Sequence, residues 1–109
     1  MKRGEIWTVS GSGGYAGKPR PAVVVQSDSF PHTASLTICS LTTNTAESAL
    51  LRLPLAPSQN NGLRESSRLM IDKITTIPKS RLGSRIGQLD DIDLVRLNRA
   101  LVVFLGLAG

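Results

Sequence analysis

Polar and apolar residues alternate from Glu5 to Val9, the pattern of a strand with one buried face. Pro21-Ala22-Val23-Val24-Val25-Gln26 is instead a continuous apolar run, as expected for a strand covered on both faces. Alternation returns from Ser35 to Thr42, with Leu36 and Ile38 facing inward and Cys39 and Leu41 as further inward candidates. A fourth strand is expected over residues 49–53, stopped by Pro54. A fifth covers residues 67–74 and stays extended to Ile77, ahead of Pro78. Asn61-Gly62, in the turn-rich stretch 57–62, signals a reversal because both residues tolerate positive φ. Residues 79–88 suit a short helical turn or a last strand around Arg85-Ile86-Gly87. The C-terminal segment has another period. Leu94, Leu97, Leu101 and Phe104 recur three and four apart, one stripe along a helix of about four turns, widened by Val95 and Val102. Asp90 or Asp91 caps this helix, Asp93 joins them in the dipole-favoured first turn, and the helix fades at Gly106. Short strands followed by one amphipathic helix predict a mostly β (α+β) fold, one domain over residues 1–109, with sheet edges that a second copy could cover.

Composition narrows the class. The 109 residues are 40% hydrophobic and 19% charged, too apolar for a disordered chain. No apolar run approaches the ~18 residues of a membrane span, and the start carries no apolar signal segment, so a cytoplasmic protein with no membrane attachment is expected. The lone Cys39 permits no internal disulfide, and one Cys with one His cannot build the usual zinc site. The net charge is +5, and Arg supplies nine of the thirteen cations, spread along the chain rather than gathered in a tail. A folded, Arg-rich basic domain suits an anionic partner, nucleic acid first, the alternative being a merely soluble surface.

Familiar catalytic patterns are absent: there is no Gly-x-Ser-x-Gly, no Walker loop and no carboxylate set with metal spacing. Asp90, Asp91 and Asp93 are read as helix capping rather than metal ligation. His32, in a Pro-containing loop, is either a general base or a solvated loop residue. The Gly-rich residues 11–17 precede no helix and so do not form a phosphate cradle; they are a plain connection or a mobile lid, to which Tyr15 and Lys18 add a ring and a charge. Arg20 stands between Pro19 and Pro21, which hold its backbone extended at the mouth of the apolar run. A permanently charged, planar guanidinium on a stiff base is a preorganised anion site, unless it is simply an edge residue with its charge in water.

Several of these segments occur in a telling order. Arg3-Gly4-Glu5-Ile6-Trp7 and a glycine-containing loop precede Pro19-Arg20-Pro21-Ala22-Val23-Val24-Val25-Gln26-Ser27-Asp28. Leu41-Thr42-Thr43, Gly62-Leu63, Asp72-Lys73-Ile74, Lys79-Ser80-Arg81-Leu82-Gly83 and Arg85-Ile86-Gly87-Gln88-Leu89 follow. Over nearly the whole chain this resembles the MazF/PemK family of toxins from bacterial toxin–antitoxin modules. The resemblance implies a small SH3-like β-barrel with a C-terminal helix, paired as a homodimer. It also implies an endoribonuclease that cuts single-stranded RNA at short sequences without metal or cofactor. The family's catalytic arginine and threonine fall on Arg20 and Thr42. Arg20 would hold the non-bridging phosphate oxygens and Thr42 would donate to the same phosphate. The 2′-hydroxyl would attack in line, leaving a 2′,3′-cyclic phosphate and a 5′-hydroxyl. RNA contacts are expected from Lys18, Tyr15, Thr43, Arg68, Asp72 and Lys73, with base selection by hydrogen bonds because aromatics are only 4%. A guanidinium is a poor base, so His32, Asp72 and water remain open as proton acceptors. The chain departs from the family where Lys73-Ile74-Thr75 replaces a common Gln-x-Arg, and where Met70 stands at a position that is sometimes arginine. The implied partner is an antitoxin with an acidic, disordered segment. Other readings are a gyrase-poisoning toxin acting through the C-terminal helix, a nucleic-acid-binding module that does not cut, and a generic interaction domain.

Overall fold

The computed structural model describes residues 1–11, 18–44 and 51–107. Its strands are β1 (Glu5–Val9), β2 (Arg20–Val24), β3 (Ser35–Thr42), β4 (Arg52–Leu55), β5 (Ser67–Pro78) and β6 (Leu82–Gln88), with a 3₁₀ turn at Lys79–Arg81 and one helix, α1 (Asp91–Phe104). All pairings are antiparallel, in the order β4-β5-β3-β2-β1-β6. β4 and β6 do not pair, so the sheet is open where the resemblance implies a barrel.

Side chains alternate along a strand, and here both faces of the sheet's centre are buried. β2 sends Val23 to one face and Ala22 and Val24 to the other; β3 sends Cys39 and Leu41 to the first and Leu36 and Ile38 to the second. Leu63, Leu89, Leu97 and Leu101 complete the first core, while Trp7 and Leu82 pack against the second. This double burial is why the β2 segment reads as an unbroken apolar run. β1 and β3 have the expected bounds. β2 starts at Arg20 and stops at Val24, because the Val25 and Gln26 amides both turn to the Thr37 carbonyl, at 3.1 and 3.2 Å.

Pro54 does not stop β4 but lies inside it, opposite Arg68. An edge strand tolerates a residue without an N–H. In β5, residues 70–73 all stand opposite Ser40, between the Cys39–Ile74 and Leu41–Leu69 pairs. This bulge bends β5 where Met70 pairs with Arg52 of β4.

Leu97 and Leu101 of α1 are buried and Leu94 packs beside them. Val95 and Phe104 are 47% and 40% exposed, so the apolar stripe is narrower than its spacing suggests. The helix rests on β4 and β5 at one edge of the sheet, leaving its flanks in water. The Asp90 carboxylate accepts Asn60 Nδ2 at 2.8 Å instead of capping an α1 amide. At the other end the Leu107 amide donates to Val102 O and the Gly106 amide to Val103 O, with Gly106 at φ +71°, a Schellman stop. No helix among the described residues is long and apolar enough to cross a membrane.

Candidate active site

Arg20 opens β2 opposite Val9 of β1, and its neighbour Pro21 pairs with Thr8. Two prolines and this ladder hold the backbone still while the side chain stays exposed. Among the described residues nothing hydrogen-bonds or ion-pairs with its guanidinium. Thr42 closes β3 one strand away, beside Ser40, which pairs with Ala22. Its Oγ1 accepts the Asn44 amide at 3.1 Å, which leaves the hydroxyl proton for another acceptor.

Three clefts meet at Arg20. The first, of about 510 Å³, joins Arg20 to Ser40, Thr42, Thr43, Asn44 and Met70. The second, of about 540 Å³, joins it to Lys18, Thr43, Arg64, Glu65 and Ser67. The third, of about 440 Å³, joins it to Lys18, Ser40, Thr75, Thr76 and Arg81. Arg81 is held by two donations to the Ser10 carbonyl, at 2.9 and 2.8 Å. The described walls carry four cations, Lys18, Arg20, Arg64 and Arg81, against one carboxylate, Glu65. That balance, with hydroxyls from Ser and Thr between the charges, suits a phosphodiester backbone.

The wall bearing Arg64 and Glu65 is rigidly built. Asn61 is buried, accepts the Ser58 and Leu63 amides at 2.9 and 3.0 Å, and donates to Ala56 O at 2.9 Å. Only Gly62 of the Asn61-Gly62 pair takes positive φ (+66°), so this is a tethered loop and not a two-residue hairpin. A Cβ at Gly62 would collide with the Ile86 carbonyl. The buried Ser67 hydroxyl then donates to Glu65 O at 3.0 Å.

The structure thus gathers Arg20, Thr42, Thr43 and Lys18 around connected clefts, and sets other candidates apart. Arg68 is half-buried in a shallow recess that it shares with Thr43, Pro54 and Ser67. Asp72 and Lys73 line none of the three clefts. Asp72 is ion-paired with Arg52, whose side chain is 3% exposed. His32 is exposed in the loop beyond the far end of β2. Tyr15 lies outside the described residues. Burial pushes the Cys39 thiol up to about 12, and its S–H donates to Met70 O at 3.4 Å, so it is no nucleophile. Among the described residues no three His, Cys, Asp or Glu side chains gather as metal ligands. Sequence reading missed Arg64, Glu65 and Arg81 as wall residues. The one local signal was a charged pair in a polar connector just before a strand, where binding residues often sit.

The sequence profile of the PemK-like, MazF-like toxins of type II toxin–antitoxin systems matches residues 2–105. The chain belongs to this toxin family. A "probable endoribonuclease MazF" of Mycolicibacterium smegmatis is 49% identical over 109 residues, covering all of both chains. "Endoribonuclease MazF9" of Mycobacterium tuberculosis is 32% identical, covering 98% of each. Among solved structures, an endoribonuclease in complex with its cognate antitoxin, from a mycobacterial species, superposes with a TM-score of 0.80 at 25% identity, covering 100% of this chain and 98% of that one. The MazF-like fold therefore extends over the described chain, and the clefts around Arg20 belong to a member of a toxin family.

Proposed function

We propose that this chain is the toxin of a type II module, an endoribonuclease that cuts single-stranded RNA through its own 2′-hydroxyl without a bound metal. The observation that carries the reading is the Arg20 guanidinium, unpaired among the described residues, sharing a cleft with the Thr42 hydroxyl. RNA brings its nucleophile, so the protein need supply only charge, orientation and proton transfer. Arg20 holds the non-bridging oxygens and stabilises the charge that grows on them in the transition state. Thr42 donates its free hydroxyl proton to the same phosphate. Lys18, Thr43, Arg64 and Arg81 bind the flanking backbone, and the hydroxyls of Ser40, Thr75 and Thr76 offer hydrogen bonds to bases or ribose. Arg68, Asp72 and Lys73 remain RNA-contact proposals away from this centre, and Tyr15, outside the described residues, remains one as well.

The relatives' names support the activity, and the structural neighbour in complex with its cognate antitoxin supports neutralisation by an antitoxin. The cationic walls around Arg20 suit an acidic, disordered segment of such a partner. Exposed Ile92, Val95 and Val103 on α1, with the open edges of β4 and β6, support pairing with a second copy. A cytoplasmic location goes with the reading as a toxin that acts on RNA. The exposed helix end, with Val103, Leu105 and Leu107, also suits a non-cutting toxin that docks on a protein target.

The test is an RNA oligonucleotide carrying one cleavage site, compared with the same strand bearing a single 2′-deoxy nucleotide at the cut. Cleavage of the first to a 2′,3′-cyclic phosphate and a 5′-hydroxyl, with the second left whole, is the expected result. No cleavage of RNA, or cutting of the deoxy strand, overturns the reading.

A further inference from the structure

We infer that Glu65 is the general base of this reaction, an assignment that rests on the nuclease reading above. The other described acids are mostly occupied. Glu5 pairs with Arg85 at 3.1 Å, Asp28 accepts the Arg3 amide at 2.7 Å, and Asp72 holds Arg52. Asp90 accepts Asn60 at 2.8 Å, Asp93 pairs with Arg96 at 2.8 Å, and Asp91 lies in the first turn of α1. Glu65 alone lines a cleft that Arg20 borders, and among the described residues no group hydrogen-bonds or ion-pairs with its carboxylate. Its backbone is not a free loop: Asn61, Gly62 and Ser67 fix the chain on either side. A carboxylate with no partner among the described residues, on a rigid wall of a cleft that it shares with Lys18 and Arg20, is placed to take a proton.

The two side chains left open by the sequence do not fit. His32 lies past the end of β2 opposite Arg20, about 13 Å or more of strand away at ~3.3 Å per residue. Asp72 is committed to a buried arginine. In the step assigned here, the Glu65 carboxylate removes the 2′-hydroxyl proton and the freed oxygen pair forms the O2′–P bond. The P–O5′ bond breaks with its electron pair going to the 5′-oxygen, which takes a proton from water. Glu65 then returns its proton to water, so the net change moves one proton from O2′ to O5′.

The experiment measures single-turnover cleavage at neutral pH by the full-length wild type, Glu65→Gln, Glu65→Asp and Glu47→Gln, with RNA affinity measured in parallel. Glu47 is the one acid outside the described residues. Glu65→Gln should lower the rate by ~10²–10⁴-fold with affinity retained. Glu65→Asp should regain part of the rate. A merely structural Glu65 would change RNA affinity or folding in step with the rate. Cleavage by Glu65→Gln within about threefold of wild type, where loss of a general base costs ~10²-fold or more, overturns the assignment. So does a loss of ~10²-fold or more in Glu47→Gln with Glu65→Gln unaffected. A wild type that leaves RNA intact sinks the nuclease reading itself, whereas an active Glu65→Gln beside an inactive Arg20→Ala sinks only the base.

Discussion

Arg20 and Arg52 each open a strand of the same sheet, and the fold treats them in opposite ways. Arg52, at the start of the edge strand β4, is buried and locked to Asp72 across the neighbouring strand β5. Arg20, at the start of β2, is exposed, flanked by prolines, and stands where three clefts meet. A buried guanidinium must be paired because its desolvation is costly, so Arg52 is spent on holding the fold. An exposed one on a stiff backbone keeps its charge for something outside the chain. Residue type alone says little about which arginine meets substrate; the partner that the fold provides, or withholds, decides it.

The largest effect belongs to Arg20. Arg20→Ala should lower cleavage by at least ~10²-fold, as loss of a preorganised charge at a reacting oxyanion does, with stability within ~0.5 kcal/mol of wild type. Rates and denaturant unfolding of the same preparation check both halves; near-normal cleavage would give Arg20 a surface role only. Arg52→Ala should do the reverse. Breaking a buried pair costs ~3 kcal/mol, the lower end of the usual range because the Asp72 side chain is still 33% exposed. Cleavage per folded molecule should be retained. Loss of activity without loss of stability in Arg52→Ala would erase the distinction between the two arginines.

The smallest effect is at Glu5. Burial alone would raise its carboxyl, but the Lys2 amide, the Trp7 indole, the N-terminal ammonium and Arg85 together hold it below its ordinary value. A carboxyl lowered in the folded state adds stability above its unfolded value, and that stability fades as pH falls through the folded one. Glu5→Gln should therefore melt earlier at neutral pH, by less than ~1 kcal/mol because Arg85 is 45% exposed, with the gap closing in acid. A gap that widens in acid would reverse the sign of this account.

Much of the architecture was legible from period and punctuation. β1 and β3 end where their alternation ends, and α1 stops where glycine permits the left-handed turn at Gly106. Arg20 stood out because the two prolines beside it are a local signal. Other features depend on which strands become neighbours, and the chain does not carry that locally. Pro54 reads as a strand stop until β4 is known to be an edge. Val95 and Phe104 read as core until α1 is seen to touch the sheet along one side only. Asp72 shows no partner in the sequence, and its pairing with Arg52 depends on β5, bent by its bulge, bringing the two together. Glu65 reads as an ordinary connector residue until its loop is tied against β6, where the Gln88 amide donates to Asn60 O at 2.9 Å.

The convergence of the three clefts has a consequence of its own. Arg20 borders each of them, so one substitution there removes the same positive charge from all three recesses at once. A strand that occupied any two of them would lose its grip on both sides of a single phosphate. Recognition of the flanking backbone and stabilisation of the reacting group would then fail together, because one side chain serves both.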